Sequence, residues 1–165
     1  MMKPLTLGLL VVLFTSPALA TDQPQAPVNP GFEKLKSLVG QWKGEMKEGD
    51  VHTTYKLVAG GSAIEEYMSD GDMVTMYHVD GGNLMLTHYC VAQNQPRMRA
   101  AAFKGGDNPL KFAFVDATNM SDPNAMHMHN LAFRFKDADH ITQEWTLYKA
   151  GKESEKVVIN LERVK

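Results

Sequence analysis

The chain has 165 residues, of which 44% are hydrophobic and 22% charged, and its formal net charge is −2. This length indicates one domain with its own core, and the composition is too apolar for a disordered chain. No basic cluster offsets the acidic balance, so a nucleic-acid partner is not predicted. A single cysteine, Cys90, excludes an intramolecular disulfide and a cysteine-based zinc site.

The first 20 residues have the three parts of a cleaved secretory signal. Lys3 supplies a positive charge, Leu5–Phe14 is an apolar run, and Ala18 and Ala20 are the small residues that a signal peptidase recognises. The run is too short to span a bilayer, which takes about 20 apolar residues. We therefore expect cleavage after Ala20, a periplasmic or secreted mature protein, and no stable membrane insertion after cleavage.

A linker and a short helix are predicted next. Residues 21–31 contain three prolines and indicate a linker, so the domain is expected to span residues 32–165. A helix is predicted over Phe32–Val39, with Gly40 at its C-terminus. Its apolar residues share one helical face: Phe32, Leu35, Leu38 and Val39.

Beyond Gly40 the apolar residues alternate with polar ones, which is typical of strands. Ten strands are predicted: Gln41–Lys47, Val51–Val58, Ala63–Met68, Met73–Val79, Leu84–Ala92, Arg97–Lys104, Leu110–Asp116, His127–Lys136, Ile141–Lys149 and Lys156–Val164. The separators are rich in Gly, Asn and Asp, which favour hairpin turns. Closing such a meander removes its exposed edges, so the pattern predicts an all-β, up-and-down antiparallel β-barrel with the helix across one end. A two-sheet sandwich is the alternative.

The faces predicted to point inward combine large apolar side chains with a few polar ones. The expected apolar walls are Trp42, Phe112, Phe114, Phe133 and Trp145, and the expected polar anchors are His88, His129 and Gln143. A ten-stranded barrel is wide enough for a ligand, and an apolar cavity with a few polar groups is the usual small-molecule site. Arg99, which follows a turn, could bind a carboxylate at the mouth. The pattern predicts a protein that binds an apolar or amphipathic small molecule.

Two other functions remain open. Imidazole and thioether groups lie close together in Met126-His127-Met128-His129 and suit copper, although strand alternation places the two residue types on opposite faces. Haem would need one axial histidine, for which His88 or His129 is a candidate. The metal candidates are therefore His88, His127 and His129. No catalytic motif is present, and the adjacent Glu65 and Glu66 point to opposite faces. A barrel enzyme with His88 as proton carrier is the remaining possibility.

Several motifs carry a family resemblance. Gly40-Gln41-Trp42-Lys43-Gly44 resembles the G-x-W-x-G opening of lipocalin-like (calycin) barrels. The stretches from Met73 to Met98 and from Met126 to His140 resemble a bacterial secreted family of unknown function with such a barrel. The resemblance covers residues 32–165 and implies the barrel, with no established activity. The opening also resembles that of nitrobindin-type haem barrels, which coordinate haem through a late histidine, and no histidine follows His140 here.

Overall fold

The computed structural model describes residues 28–46, 49–69, 72–106 and 109–165. They form one α-helix, a three-residue 3-10 helix (Ala59–Gly61) and a closed antiparallel barrel of ten strands, which confirms the predicted fold class and makes the sandwich alternative wrong. The elements are α1 (Pro30–Lys36), β1 (Gly40–Met46), β2 (Gly49–Val58), β3 (Ala63–Met68), β4 (Met73–Asp80), β5 (Asn83–Tyr89), β6 (Gln95–Ala100), β7 (Leu110–Thr118), β8 (His127–Phe135), β9 (His140–Lys149) and β10 (Lys152–Arg163). The predicted signal segment, residues 1–20, lies outside the described residues.

Each strand pairs with its neighbours in the chain, and β1 pairs with β10 to close the barrel. Connections between strands therefore alternate between two ends. We call the end next to α1 the helix end; it carries the connections β2–β3, β4–β5, β6–β7 and β8–β9. The opposite end, with the connections β1–β2, β3–β4, β5–β6, β7–β8 and β9–β10, is the loop end.

The helix is held at the helix end by its own N-cap. The side chain of Asn29 accepts hydrogen bonds from the backbone N–H of Gly31 and Phe32, and Pro30 fills the first helical position. The Asn29 amide also donates to the carbonyl of Gly82 in the β4–β5 turn, at 2.8 Å. The helix begins two residues before the predicted start because this cap lies within the predicted linker.

The G-x-W-x-G motif has a structural reason at each of its three positions. Gly40 adopts φ +130°, which disfavours any residue with a Cβ. Trp42 is 1% exposed and its indole N–H donates to the carbonyl of Leu38 at 2.7 Å. A Cβ on Gly44 would clash with the backbone carbonyl of Asn160, so this glycine allows β1 and β10 to approach closely where the barrel closes.

The middle of the barrel is packed with rings. Tyr77, Phe112 and Phe133 meet one another with ring centroids 5.9–6.5 Å apart, in the tilted and edge-on geometries that aromatic pairs prefer. Each of the three is at most 2% exposed.

No helix among the described residues is long and apolar enough to cross a membrane.

Candidate functional site

A row of polar side chains crosses one wall of the barrel interior. Tyr55, Glu66, Thr75 and His88 are register partners on the adjacent strands β2, β3, β4 and β5. All four are at most 3% exposed, and they alternate with exposed or half-buried residues, so they lie on the inward face. Buried polar groups are costly unless they are hydrogen-bonded, and their partners therefore indicate what this row does.

Glu66 is the acceptor on which the row converges. Its Oε1 accepts from the Tyr55 hydroxyl at 2.9 Å and from the amide of Gln143 at 2.5 Å, and its Oε2 accepts from the Tyr77 hydroxyl. Gln143 reaches Glu66 from β9, on the opposite wall. Its amide orientation follows from its own acceptor, because its Oε1 accepts from the Trp145 indole N–H at 2.8 Å. Three donors therefore face one carboxyl group.

Burial raises the pKa of each of the three acidic groups in this network, Glu66, Tyr55 and Tyr77. Desolvation raises the pKa of Glu66, and the hydrogen bonds from Tyr77, Gln143 and Tyr55 oppose that rise. Desolvation, followed by the charge of Glu66, raises the pKa of both Tyr55 and Tyr77 well above the usual value. Both phenols therefore stay protonated and act as donors.

His88 ends the row with one nitrogen satisfied and one not. Its Nδ1 lies 2.8 Å from the Thr75 hydroxyl, and its ring packs against Trp145 with centroids 4.7 Å apart. Its buried Nε2 has no hydrogen-bond partner in the described part of the chain. Desolvation lowers the pKa of His88 to about 4, so the ring is neutral at neutral pH.

Two further buried polar atoms lack partners among the described residues. They are Oγ1 of Thr53, on the inward face of β2, and Oδ1 of Asn94, in the β5–β6 turn. The Asn94 amide donates to the carbonyl of Met126 at 2.8 Å, which ties this turn to the β7–β8 connection. Like His88 Nε2, both atoms lie on the loop-end side of the barrel.

A second cluster contains two histidines. The ring of His129 is stacked between Phe114 and Tyr148, with centroids 4.8 and 3.8 Å away and interplanar angles of 16°. Nδ1 of His127 lies 2.8 Å from the carbonyl of Ala125, so it carries the proton and donates. Nε2 of His127 lies 3.0 Å from Nδ1 of His129, so one of these two nitrogens donates to the other. When Nδ1 of His129 is the donor and the ring is neutral, Nε2 of His129 carries a free lone pair.

The environment of this cluster affects its protonation and its backbone. Burial, followed by the charge of His127, lowers the pKa of His129. His129 also lies where the pairing of β8 with β9 shifts register between Met128 and Asn130. Strict alternation along β8 would place His127, His129 and Leu131 on one face, and the bulge interrupts that alternation.

The predicted site residues fall into several groups. Trp145 contacts both His88 and Gln143, whereas Phe114, His127 and His129 form the separate cluster. Whether His88 and His129 meet was left open by the sequence, and no ring contact joins them in the described part of the chain. Phe112 and Phe133 pack with Tyr77. Trp42 lies at the helix end, where Cζ of Arg163 is 4.3 Å from the centroid of the Trp42 ring.

Arg99 lies outside the interior set. It is exposed on β6, where Pro96 and Met98 are the buried neighbours on the other face. A position at the mouth, where it would bind a ligand carboxylate, was expected. Its outward direction follows from the alternation of β6 and removes Arg99 from the candidate site.

Two cavities are described, and both lie outside the barrel interior. One, of about 860 Å³, runs along the outer faces of β1, β2, β9 and β10 and is lined by charged side chains such as Lys43, Glu45 and Glu162. The other, of about 420 Å³, lies between α1 and the β8–β9 connection. Neither is the wide apolar cavity expected from the strand count. The middle of the interior holds packed rings instead, because Tyr55 and Tyr77 add to the aromatic residues counted from the other strands.

Four residues of this row and its surroundings were not predicted as site residues: Tyr55, Glu66, Thr75 and Tyr77. The prediction rested on the inward faces of β1, β5, β7, β8 and β9, and those of β2 to β4 did not enter it. The signal was available in β3, where Ile64, Glu66 and Met68 share a face, so a carboxylate stands between two apolar residues. A glutamate in that position is predicted to be buried and to need several donors.

Metal ligands are not assembled into a site here. No group of three His, Cys, Asp or Glu side chains is placed to hold a metal ion within the described ranges. No protein-family model and no curated protein matches the sequence.

Proposed function

We propose that the protein is an exported, lipocalin-like barrel that binds a small apolar or amphipathic molecule in the loop-end half of its interior. The observation that carries this proposal is Nε2 of His88, a buried polar atom that has no hydrogen-bond partner among the residues that the structure describes. A group left in this state costs about 1–3 kcal/mol. A ligand with one polar group would recover that cost, which favours a molecule that is mostly apolar.

The residues around His88 suit such a ligand. Trp145 supplies an apolar face against the imidazole, and Gln143 holds the Trp145 indole in place. His88 Nε2 is covered in the structure, so a ligand has to displace side chains to reach it. Met73 and Met128, each near the start of a strand at the loop end, are half-buried against the core. Methionine is unbranched and flexible, so these side chains can move at low cost.

The test compares two histidine substitutions in the mature protein. His88→Phe keeps an aromatic ring and removes Nε2, whereas His78→Phe changes an exposed histidine on the outer face of β4. The apolar fluorescent probe N-phenyl-1-naphthylamine is titrated into each variant. We expect wild type and His78→Phe to bind alike and His88→Phe to bind about tenfold more weakly, which corresponds to one hydrogen bond.

Native mass spectrometry of the protein purified from an exporting host gives a second readout. A retained small molecule is expected with wild type and is expected to be depleted in His88→Phe. Equal probe binding by all three proteins would remove His88 from the site. A wild type that binds no probe and retains no molecule would contradict the proposed function.

Metal binding is the second candidate, and the His127–His129 pair favours it. A metal-ligating histidine usually donates its other ring N–H to a fixed acceptor, and Nδ1 of His129, 3.0 Å from Nε2 of His127, is placed to do so. The clamp between Phe114 and Tyr148 fixes the ring plane. A single imidazole suits an axial ligand of haem iron more than a zinc site, which takes three or four protein ligands. An absorption spectrum and a metal assay on the purified protein test this candidate, and a colourless, metal-free sample contradicts it.

Export can be tested separately. The predicted cut after Ala20 implies that the mature chain begins at Thr21. Intact-mass measurement on the protein recovered from the periplasm or medium of a bacterial host checks the cut. A chain that keeps residues 1–20 in the cytoplasmic fraction would contradict it.

A further inference from the structure

The cavity between α1 and the β8–β9 connection combines positive charge with an apolar surface. Its volume of about 420 Å³ lies within the range of small-molecule sites, roughly 300–1,000 Å³. We call it the helix-end cavity. The side chains that give it its chemistry are the cationic Lys34, Lys136 and Arg163, the apolar Leu38 and Phe135, and the acidic Asp137.

Phe135 provides the apolar surface of the helix-end cavity. Its half-buried ring is stacked on Phe133, with centroids 5.9 Å apart, and tilted against Phe103 at 6.2 Å. Nζ of the half-buried Lys34 lies 4.7 Å from the centroid of the Phe135 ring, so the ammonium group is held over an aromatic face. A ligand can therefore place an apolar body on Phe135 and a charged group beside Lys34.

The backbone carbonyls that would repel an anion here are already hydrogen-bonded. The last carbonyls of a helix carry partial negative charge, and α1 ends beside this cavity. Arg163 donates to three carbonyls at 2.7–3.2 Å, those of Ser37, Val39 and Ala138. Its guanidinium also lies 3.5 Å from Asp139. Arg163 is thus occupied by the protein itself and compensates the end of the helix.

The acidic side chain in the lining is occupied as well. Asp137 accepts from the backbone N–H of Asp139 at 2.8 Å, and its carboxylate lies 2.8 Å from Nδ1 of His140. These hydrogen bonds, that of Asp139 first, lower the pKa of Asp137, so it is a carboxylate at neutral pH. Its partners lie within its own turn, and it pairs with neither lysine of the cavity.

Lys34 and Lys136 remain as uncompensated charges. Neither forms an ion pair with a residue that the structure describes, whereas the neighbouring Lys36 is bonded to Glu33 at 2.7 Å. Three cationic side chains and one carboxylate line the cavity, so positive charge is in excess beside an apolar surface. Charge complementarity therefore favours an anionic ligand with an apolar part.

We propose that the helix-end cavity binds a small amphipathic anion, a carboxylate or sulfonate on a short apolar or aromatic body. The anionic group pairs with Lys34 and Lys136, and the apolar body contacts Phe135 and Leu38. This site goes beyond the proposed function, because it lies at the opposite end of the barrel from His88 and takes a charged ligand.

The test titrates 2-naphthoate and the neutral 2-naphthamide into the mature protein at neutral pH and low salt, followed by proton–nitrogen NMR. The two compounds have the same ring system and differ in charge. We expect naphthoate to shift the signals of Lys34, Ser37 and Ala138 and to bind about tenfold more tightly than the amide. Equal affinities, or no shift with either compound, would overturn the inference. Naphthoate shifts confined to the residues around His88 would also overturn it, while supporting the proposed function.

Two charge-removing substitutions locate the site on the lysines. Lys34→Gln and Lys136→Gln are each expected to weaken naphthoate binding about threefold, since each removes one solvent-accessible ion pair with the ligand. Lys111→Gln is the matched control, because that lysine is exposed on the outer face of β7 and does not line the cavity. Unchanged binding in both cavity variants would overturn the inference. An equal loss in Lys111→Gln would do the same, since the anion would then respond to net charge alone.

Salt gives an independent readout of the same pairing. At about 1 M sodium chloride the Debye length is about 3 Å, so the preference for naphthoate over naphthamide should disappear. The affinity of the neutral amide supplies the internal reference for other effects of salt. A preference that persists at this concentration would contradict a site based on Lys34 and Lys136.

Discussion

The two ends of the barrel treat their polar groups in opposite ways. At the helix end, Arg163 donates to the carbonyls of Ser37, Val39 and Ala138, and Asn29 caps the helix. At the loop end lie the three buried atoms without partners in the described ranges, on Thr53, His88 and Asn94. An unsatisfied buried group destabilises a fold, so one end is built for stability and the other retains groups that a ligand can satisfy.

The packing shows the same difference. The helix end is sealed by Trp42, whose ring lies beneath Arg163 and edge-on to Tyr55. The loop-end half instead contains half-buried methionines and His129, whose ring is stacked between Phe114 and Tyr148. A well-packed helix end would keep such a barrel folded while its loop end holds buried polar atoms that a ligand could satisfy.

The largest effect is expected at the helix end. Trp42→Ala removes a ring that is 1% exposed, and we expect the free energy of unfolding to fall by about 3–5 kcal/mol. Urea denaturation measures the change. Tyr89→Ala is the control, since that tyrosine is half-exposed and its loss should cost no more than about 0.5 kcal/mol. Similar losses in the two variants would contradict the assignment of Trp42 as the seal.

The architecture was predictable because its signal is local. Alternation with a period of two and turn residues between runs are properties of neighbouring residues, so all ten strands were found. The bounds differ most at β6 and β10. In β10 the paired region begins at Lys152 rather than Lys156, because a bulge between Glu153 and Glu155 interrupts the alternation on which the prediction relied.

The site was less predictable because it depends on contacts between distant residues. Gln143 meets Glu66 across 77 positions, and no periodicity shows which side chains meet across the interior. His88, Gln143 and Trp145 were found from the faces of their own strands. Arg99 was expected at the mouth because it follows a turn, whereas the buried Met98 beside it already indicated that Arg99 points outward.

The second effect concerns pH at the loop end. Burial lowers the pKa of folded His88 to about 4, below the unfolded value of about 6.5. The unfolded chain therefore binds more protons between these values, and this histidine makes the fold lose stability as the pH falls from 6.5 to 4. We expect wild type to lose about 3 kcal/mol relative to His88→Phe over this window, given about 1.4 kcal/mol per pKa unit.

The comparison with His88→Phe is needed because Glu66 has the opposite sign. Its pKa is raised in the fold, so its contribution to stability is lost as the pH rises from the unfolded value through the raised folded value. Denaturation curves are collected for both proteins at several pH values. The difference in the free energy of unfolding between the two proteins then removes the contribution of Glu66. A difference between them that does not change with pH would contradict the buried, neutral state of His88.

A smaller effect is expected from the helix cap. Asn29→Ala removes the acceptor for the N–H groups of Gly31 and Phe32, and we expect a loss of about 1 kcal/mol. Asn29→Asp keeps that acceptor and loses only the donation to Gly82. Urea denaturation should place the aspartate variant close to wild type. If both variants lose the same stability, the contact with Gly82 rather than the cap holds the helix in place.

The smallest effect has the reverse sign and lies on the loop-end side. Thr53→Val replaces a buried hydroxyl that has no partner within the described ranges with a methyl group of similar size. The desolvation cost of the hydroxyl disappears, so we expect the free energy of unfolding to stay unchanged or to rise by up to about 1 kcal/mol. The same substitution at Thr75 removes a bonded hydroxyl and should lower stability. A loss at Thr53 as large as that at Thr75 would mean that its hydroxyl is satisfied in solution, and the contrast between the two ends would then rest on His88 and Asn94 alone.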